Sequence, residues 1–129
     1  MSPSIVRNIV NFITTKIDNV GAKVATGVGT AFDTKDYEGN ARIIVHVGAV
    51  SGTSPTLDLK IQSSATSGGT YADVTALNGN PAQIVAADQV VYIDIDLDAS
   101  QRFIKVSWTL GGTSPSFAID SSFTGLKKY

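Results

Sequence analysis

The stretch Thr56-Leu57-Asp58-Leu59-Lys60-Ile61-Gln62 alternates strictly between apolar and polar residues. Successive side chains on a strand point to opposite faces. Leu57, Leu59 and Ile61 therefore share a core side, and Asp58, Lys60 and Gln62 a solvent side. Val90-Val91-Tyr92-Ile93-Asp94-Ile95-Asp96-Leu97 repeats the pattern, with Val91, Ile93, Ile95 and Leu97 turned inward. In Arg102–Leu110, Trp108 alternates with Ile104, Val106 and Leu110, which makes it a core residue. Ala41–Val50 is almost wholly apolar and reads as a strand covered on both faces. Shorter β stretches fall at Thr30–Phe32, Tyr71–Thr75 and Ser116–Asp120. Turns are expected at Asp36–Asn40 and at Asn78-Gly79-Asn80-Pro81, with a Ser/Gly loop over Ser63–Thr70. Many short strands with frequent turns predict an all-β, jelly-roll-like β-sandwich.

Composition agrees. Thirteen Val, 12 Ile and 13 Thr make β-branched residues abundant, against six Leu and a single Glu, Glu38. Such side chains are stiff at χ1 and pack well on a pleated surface. A chain of 129 residues fits one domain, assigned to residues 21–129, preceded by an N-terminal arm or short helix over residues 1–20. The absence of Cys excludes disulfides and thiol chemistry, and the single His excludes a multi-His metal site within one chain. A formal charge of −1 offers no bulk attraction to nucleic acid or to an anionic membrane. Charged residues make up 16% of the chain, below the ~25% of an average soluble protein. That deficit reads as surface covered by partners.

One internal echo stands out. Arg42-Ile43-Ile44 and the later Ser51-Gly52-Thr53-Ser54-Pro55-Thr56-Leu57 align, at an offset of 60, with Arg102-Phe103-Ile104 and Gly111-Gly112-Thr113-Ser114-Pro115-Ser116-Phe117. Gly-Thr-Ser-Pro between two β stretches predicts two equivalent hairpins, paired across two sheets.

At the N-terminus Ile5, Ile9, Ile13 and Ile17 recur every four residues behind Ser2 and Ser4, a helical spacing. Their β-branched side chains leave a strand or an extended arm open for residues 4–17. Arg7, Asn8 and Asn11 interrupt the apolar run, so it is neither a signal peptide nor a bilayer span. As a docking arm it would present Ile5, Ile9, Phe12 and Ile13 to a neighbouring subunit.

Little in the chain points to chemistry. Gly27-Val28-Gly29-Thr30 lacks the Lys-Ser/Thr ending of a phosphate loop. Asp94, Asp96 and Asp98 fall on alternate positions, ~7 Å apart on one strand face. Three readings apply: a solvent face neutralised by Arg102, Lys105 or Lys60, a subunit salt-bridge face, or a weak site for a hard cation. His46, inside an apolar run, is expected in the core or an interface, with no triad partner signalled. A sugar-binding sandwich would need exposed aromatics, and aromatics are only 8% of the chain, so buried Trp108, Tyr71 and Tyr92 would argue against it. Lys127-Lys128-Tyr129 reads as a solvated or partner-bound tail. No catalytic residue and no cofactor is expected.

Ser51–Gln62, Arg102–Val106 and Gly111–Phe117 give the region from Ala31 to Tyr129 a resemblance to small structural proteins of tailed-bacteriophage virions. The resemblance implies a capsid decoration (cement) protein, a trimer or dimer bound to the major capsid protein on the exterior of the virion. Such a particle would be assembled in the host cytoplasm, with no nucleic-acid or membrane partner and no enzymatic activity. Two other expectations stand beside it: a tail or neck component, and a host-surface or carbohydrate-binding module.

Overall fold

The computed structural model describes residues 12–127, which form seven β-strands and no helix. They are β1 (Phe12–Lys23), β2 (Gly27–Val28), β3 (Phe32–Asp33), β4 (Tyr37–Ser64), β5 (Ala72–Val74), β6 (Gln89–Asp96) and β7 (Phe103–Lys127). β4 and β7, of 28 and 25 residues, run antiparallel to each other along most of their length. All seven strands are joined by hydrogen bonds, but register shifts and left-handed residues interrupt both long strands near the middle and divide the array into two halves, a front and a back sheet that share one core. The front sheet has the order β6-β4-β7-β1 and uses the first part of β4 and the last part of β7. The back sheet uses the remaining parts, flanked by β5 and by the short β2 and β3.

Alternation delivers one apolar face from each sheet to a shared core. Ala41, Ile43, Val45, Val47, Ile93, Ile95, Phe117, Ile119 and Phe123 come from the front. Leu57, Leu59, Ile61, Ile104, Val106 and Trp108 come from the back. Phe123 closes the sandwich against Phe32 and Tyr37, with ring centroids 4.7 and 4.8 Å away. The expected β-sandwich and the core position of Trp108, 7% exposed, are what the structure has.

The Gly-Thr-Ser-Pro segments are not hairpins. They are the two bends, and they lie side by side, with Ser51 opposite Ser116, Thr53 opposite Thr113 and Thr56 opposite Gly111. Their backbones match: Gly52 and Gly112 have φ of 111° and 99°, and Ser54 and Ser114 both have 48°. Two left-handed residues flanking one Thr act as a double bulge, which turns a strand from one sheet into the other. The contact is reciprocal. A Cβ on Gly52 would lie 2.7 Å from the Ser114 carbonyl oxygen, and one on Gly112 would lie 2.5 Å from that of Ser54. Turn-type residues gave the right punctuation, but the partner of each bend is the other copy, 60 residues away.

Of the alternatives left open for residues 4–17, the structure has strand over 12–17, where the ladder of β7 offers the β-branched residues a partner from Phe12↔Leu126 to Lys16↔Ser122. Two further expectations change. The turn expected at 36–40 falls earlier, at Lys35-Asp36, where the Tyr37 N–H donates to the Thr34 carbonyl, and Tyr37–Asn40 is the start of β4, with Gly39 at φ 73°. The strand at 41–50 is covered on one face only: Ile44 is half-buried and His46 exposed, opposite the buried Ile43, Val45 and Val47.

Candidate functional site

Register decides what the outer face of the front sheet carries. Across β6, β4 and β7 it aligns Asp94–Arg42–Thr124, then Tyr92–Ile44–Ser122, then Val90–His46–Asp120. Arg42 donates from Nε to Asp94 Oδ1 at 2.7 Å and from an η nitrogen to Oδ2 at 3.1 Å, a two-pronged pair across neighbouring strands. That guanidinium holds the Asp94 carboxyl below the usual carboxylate range, while Asp94 raises Arg42 in turn. The guanidinium also lies 4.8 Å from the centre of the Tyr92 ring, which remains 48% exposed.

The loop at Asn78-Gly79 covers the outer edge of β6. The Asn78 side chain donates to the Tyr92 carbonyl at 3.0 Å and accepts from the Asp94 N–H at 3.1 Å. The Leu77 N–H donates to the Asp94 carbonyl at 2.7 Å, which leaves the Leu77 side chain 55% exposed beside the strand. Together Asn40, Arg42, Leu77, Asn78, Asp94 and Thr124 line a depression of about 480 Å³.

The Asp series does not form a face of three carboxylates. Asp94 is taken by Arg42, and not by the Arg102, Lys105 or Lys60 expected from sequence. Asp98 lies beyond the end of β6, where its N–H donates to Asp96 Oδ1 at 3.0 Å to make a local turn. Among the described residues no group of three or more His, Asp or Glu side chains gathers around a cation-sized space. Arg102 and Lys60 have other partners. Arg102 forks onto Asp33 at 2.9 and 2.7 Å, and Lys60 and Gln62 both reach Asp73.

His46 is exposed rather than buried, in a second depression with Gly48, Asp88, Gln89, Val90 and Asp120. Tyr71 is half-buried under Lys105, whose Nζ lies 4.4 Å from the ring centre. Of the three aromatics whose burial bears on sugar binding, only Trp108 is in the core, where its Nε1 donates to the Ala25 carbonyl at 3.1 Å. Of the four docking residues, Ile5 and Ile9 lie outside the described residues, and Phe12 and Ile13 sit at the start of β1.

Sequence reading missed Arg42, Leu77, Asn78 and Tyr92 as one group. Asn78-Gly79 signalled a turn, but nothing local signalled that this turn reaches β6.

No protein-family model matches the chain, and no curated protein matches it in sequence. Solved structures share its fold. The SPBc2 prophage-derived protein YomS superposes with a TM-score of 0.51 at 11% identity, over 88% of this chain and 93% of that one. The CBM22-1 xylan-binding domain of Paenibacillus barcinonensis Xyn10C gives 0.48 at 13% identity, over 91% of this chain and 94% of that one. A chain of the infectious bursal disease virus Gx strain gives 0.49 at 16% identity, over 92% of this chain and 33% of that one. The likeness to YomS, at 11% identity, is one of fold.

Proposed function

We propose that this chain is a non-enzymatic structural protein of a phage virion, one that decorates and stabilises a capsid by bridging its subunits. The observation that carries the reading is the edge formed by β1. Proteins blunt exposed sheet edges, since unpaired N–H and C=O groups invite another chain. Here the β6 edge is covered by Leu77 and Asn78, and the back sheet is flanked by pieces of two or three residues. β1 has 12 residues and, among the described residues, pairs with β7 alone. Register breaks interrupt it between Lys16 and Gly21, which leaves the regular edge at Phe12–Lys16. The Ile-rich segment with Ile5 and Ile9 leads directly into that stretch.

An arm continuous with an open edge suits attachment to a neighbour. Strand addition supplies main-chain hydrogen bonds, and apolar side chains supply the affinity. Each Ile buried on docking contributes about 1.5–3 kcal/mol. Binding of the assembled shell and not of its free subunits then stabilises the shell by mass action. The partners in this reading are the major capsid protein and further copies of this chain. Fold likeness to a prophage-derived protein over nearly the whole chain supports the same setting.

Electron microscopy and heat challenge of particles with and without the protein test the reading. We expect density on the outer shell and greater heat resistance, both lost when Ile5 and Ile9 are replaced by Asp. Density confined to the tail or neck, or equal heat resistance without the protein, would overturn it.

A further inference from the structure

We infer that the depression between β4, the β6 edge and the Asn78 loop is a binding site for a neutral saccharide. The proposal is independent of attachment to a shell, because the depression opens on the outer face of the front sheet, across β6, β4 and Thr124 of β7, whereas attachment uses the free edge of β1.

The first argument is charge. The principal ionisable groups in the lining are Arg42 and Asp94, and they neutralise each other through two hydrogen bonds. An anionic ligand would meet the Asp94 carboxylate along with the guanidinium, and a cation would meet the guanidinium along with the carboxylate. Neither gains a net attraction. A ligand of hydroxyl groups suffers no such conflict.

Hydrogen-bond capacity is the second argument. A guanidinium has five N–H donors and a carboxylate about four acceptor sites. The mutual pair uses two of each, so donors and acceptors remain side by side on a planar unit. Adjacent sugar hydroxyls each donate and accept, and that alternation is what the pair offers. Asn40 and Thr124 extend the polar lining.

The third argument is shape and rigidity. Leu77 gives an apolar wall, 55% exposed, and the exposed Tyr92 ring adjoins the Arg42 guanidinium. Sugar rings combine hydroxyl edges with apolar C–H faces, so a polar floor beside such groups suits them. The volume of about 480 Å³ falls within the ~300–1,000 Å³ usual for small-molecule sites. The site is also held in place before any ligand arrives. Asn78 bonds to both Tyr92 and Asp94, and Leu77 is tied to the Asp94 carbonyl, so little ordering remains to oppose binding.

The test is a nuclear magnetic resonance titration of the isotopically labelled full chain with xylohexaose, maltohexaose and hexa-N-acetylchitohexaose, and with inorganic phosphate as the anionic probe. We expect saturable shifts of the Arg42, Asn78 and Asp94 amides with at least one oligosaccharide and none with phosphate. Asp94→Asn keeps the shape and removes the charge, and should weaken binding at least tenfold. Leu77→Ala, at a side chain outside the core, should weaken it several-fold with an unchanged spectrum elsewhere. Absence of saturable shifts with all three sugars, shifts centred elsewhere, or phosphate binding as tight as sugar binding would overturn the inference. So would undiminished binding in Leu77→Ala and Asp94→Asn, with both variants folded.

Discussion

The front and back sheets share their two central strands and differ in what flanks them. In front, β4 and β7 lie between β6 of eight residues and β1 of 12. Behind, the same strands are flanked by β2, β3 and β5, of two, two and three residues. The centre is close to two-fold symmetric, since the pair Ser51–Ser116 becomes Thr56–Gly111 on an offset of 60. Symmetry at the centre makes the core, and asymmetry at the flanks makes the surfaces that can meet a partner. The long edge, the Arg42–Asp94 depression and the exposed His46 all belong to the front sheet.

The sharpest way to break the symmetric centre is at its two bends. Gly52→Ala and Gly112→Ala each add a Cβ that meets opposing backbone at 2.7 and 2.5 Å, at φ of 111° and 99°. Strain from φ and overpacking together should cost about 2–5 kcal/mol per site. Gly79→Ala separates the two causes: its φ is 82°, but nothing lies within 4 Å of the added Cβ. It should cost only ~1 kcal/mol, the φ part alone. Urea denaturation of the three variants reads these values. Because one displacement of the paired bends relieves both contacts, the double variant at Gly52 and Gly112 should cost less than the sum. Full additivity would show that the bends act separately.

A smaller effect distinguishes the two halves of the core. Trp108→Phe keeps an aromatic in the back sheet but leaves the Ala25 carbonyl without its 3.1 Å donor and puts a smaller ring in place of the indole under Lys23. About 1–2 kcal/mol should be lost. Amide exchange should show the loosening at Gly27–Val28, which pairs with β7 at Trp108 and Ser107, and not in the front sheet.

What was legible follows from range. Alternation is local, so Leu57–Leu59–Ile61, Val91–Leu97 and Trp108 were read correctly as inward-facing. The repeated Gly-Thr-Ser-Pro was also visible, but the same residues make a hairpin turn or a bend within a strand. Only the identity of the opposite strand separates these outcomes. Of the two places expected for His46, the core is excluded: Ile44 makes the run look apolar on both faces, although the outer face holds Arg42 and His46 as well. For the depression, the obstacle was distance along the chain: Arg42 and Asp94 are 52 residues apart, and no local pattern sets that register. The helical spacing of Ile13 and Ile17 lost to a neighbour, the ladder of β7, which offers a hydrogen-bond partner that an isolated stretch does not have.

The smallest expected effect concerns the two arginine forks, one on each sheet. Asp33 is held below the ordinary value of 3.8 by its hydrogen bonds from Arg102, and Asp94 likewise by those from Arg42. A carboxyl whose folded value lies below its unfolded value binds protons more readily when unfolded. Its contribution is therefore complete above the unfolded value and is lost as pH falls through about 4 and then through the lowered folded value. Both side chains remain partly exposed, at 32% and 25%, so solvent screening keeps each contribution small. Thermal melts at neutral and acidic pH should show Asp33→Asn and Asp94→Asn reducing the acid sensitivity of the wild-type chain by similar, small amounts. Equal slopes would mean that the forks are electrostatically alike and differ only in surroundings: Arg102 rests on Phe103, whereas Arg42 borders the depression beside Tyr92. A steeper dependence on Asp94 would show instead that the front-sheet fork also holds the Asn78 loop to β6. That loop covers the edge, so its loosening would expose a second strand for pairing and reduce the contrast between β6 and β1.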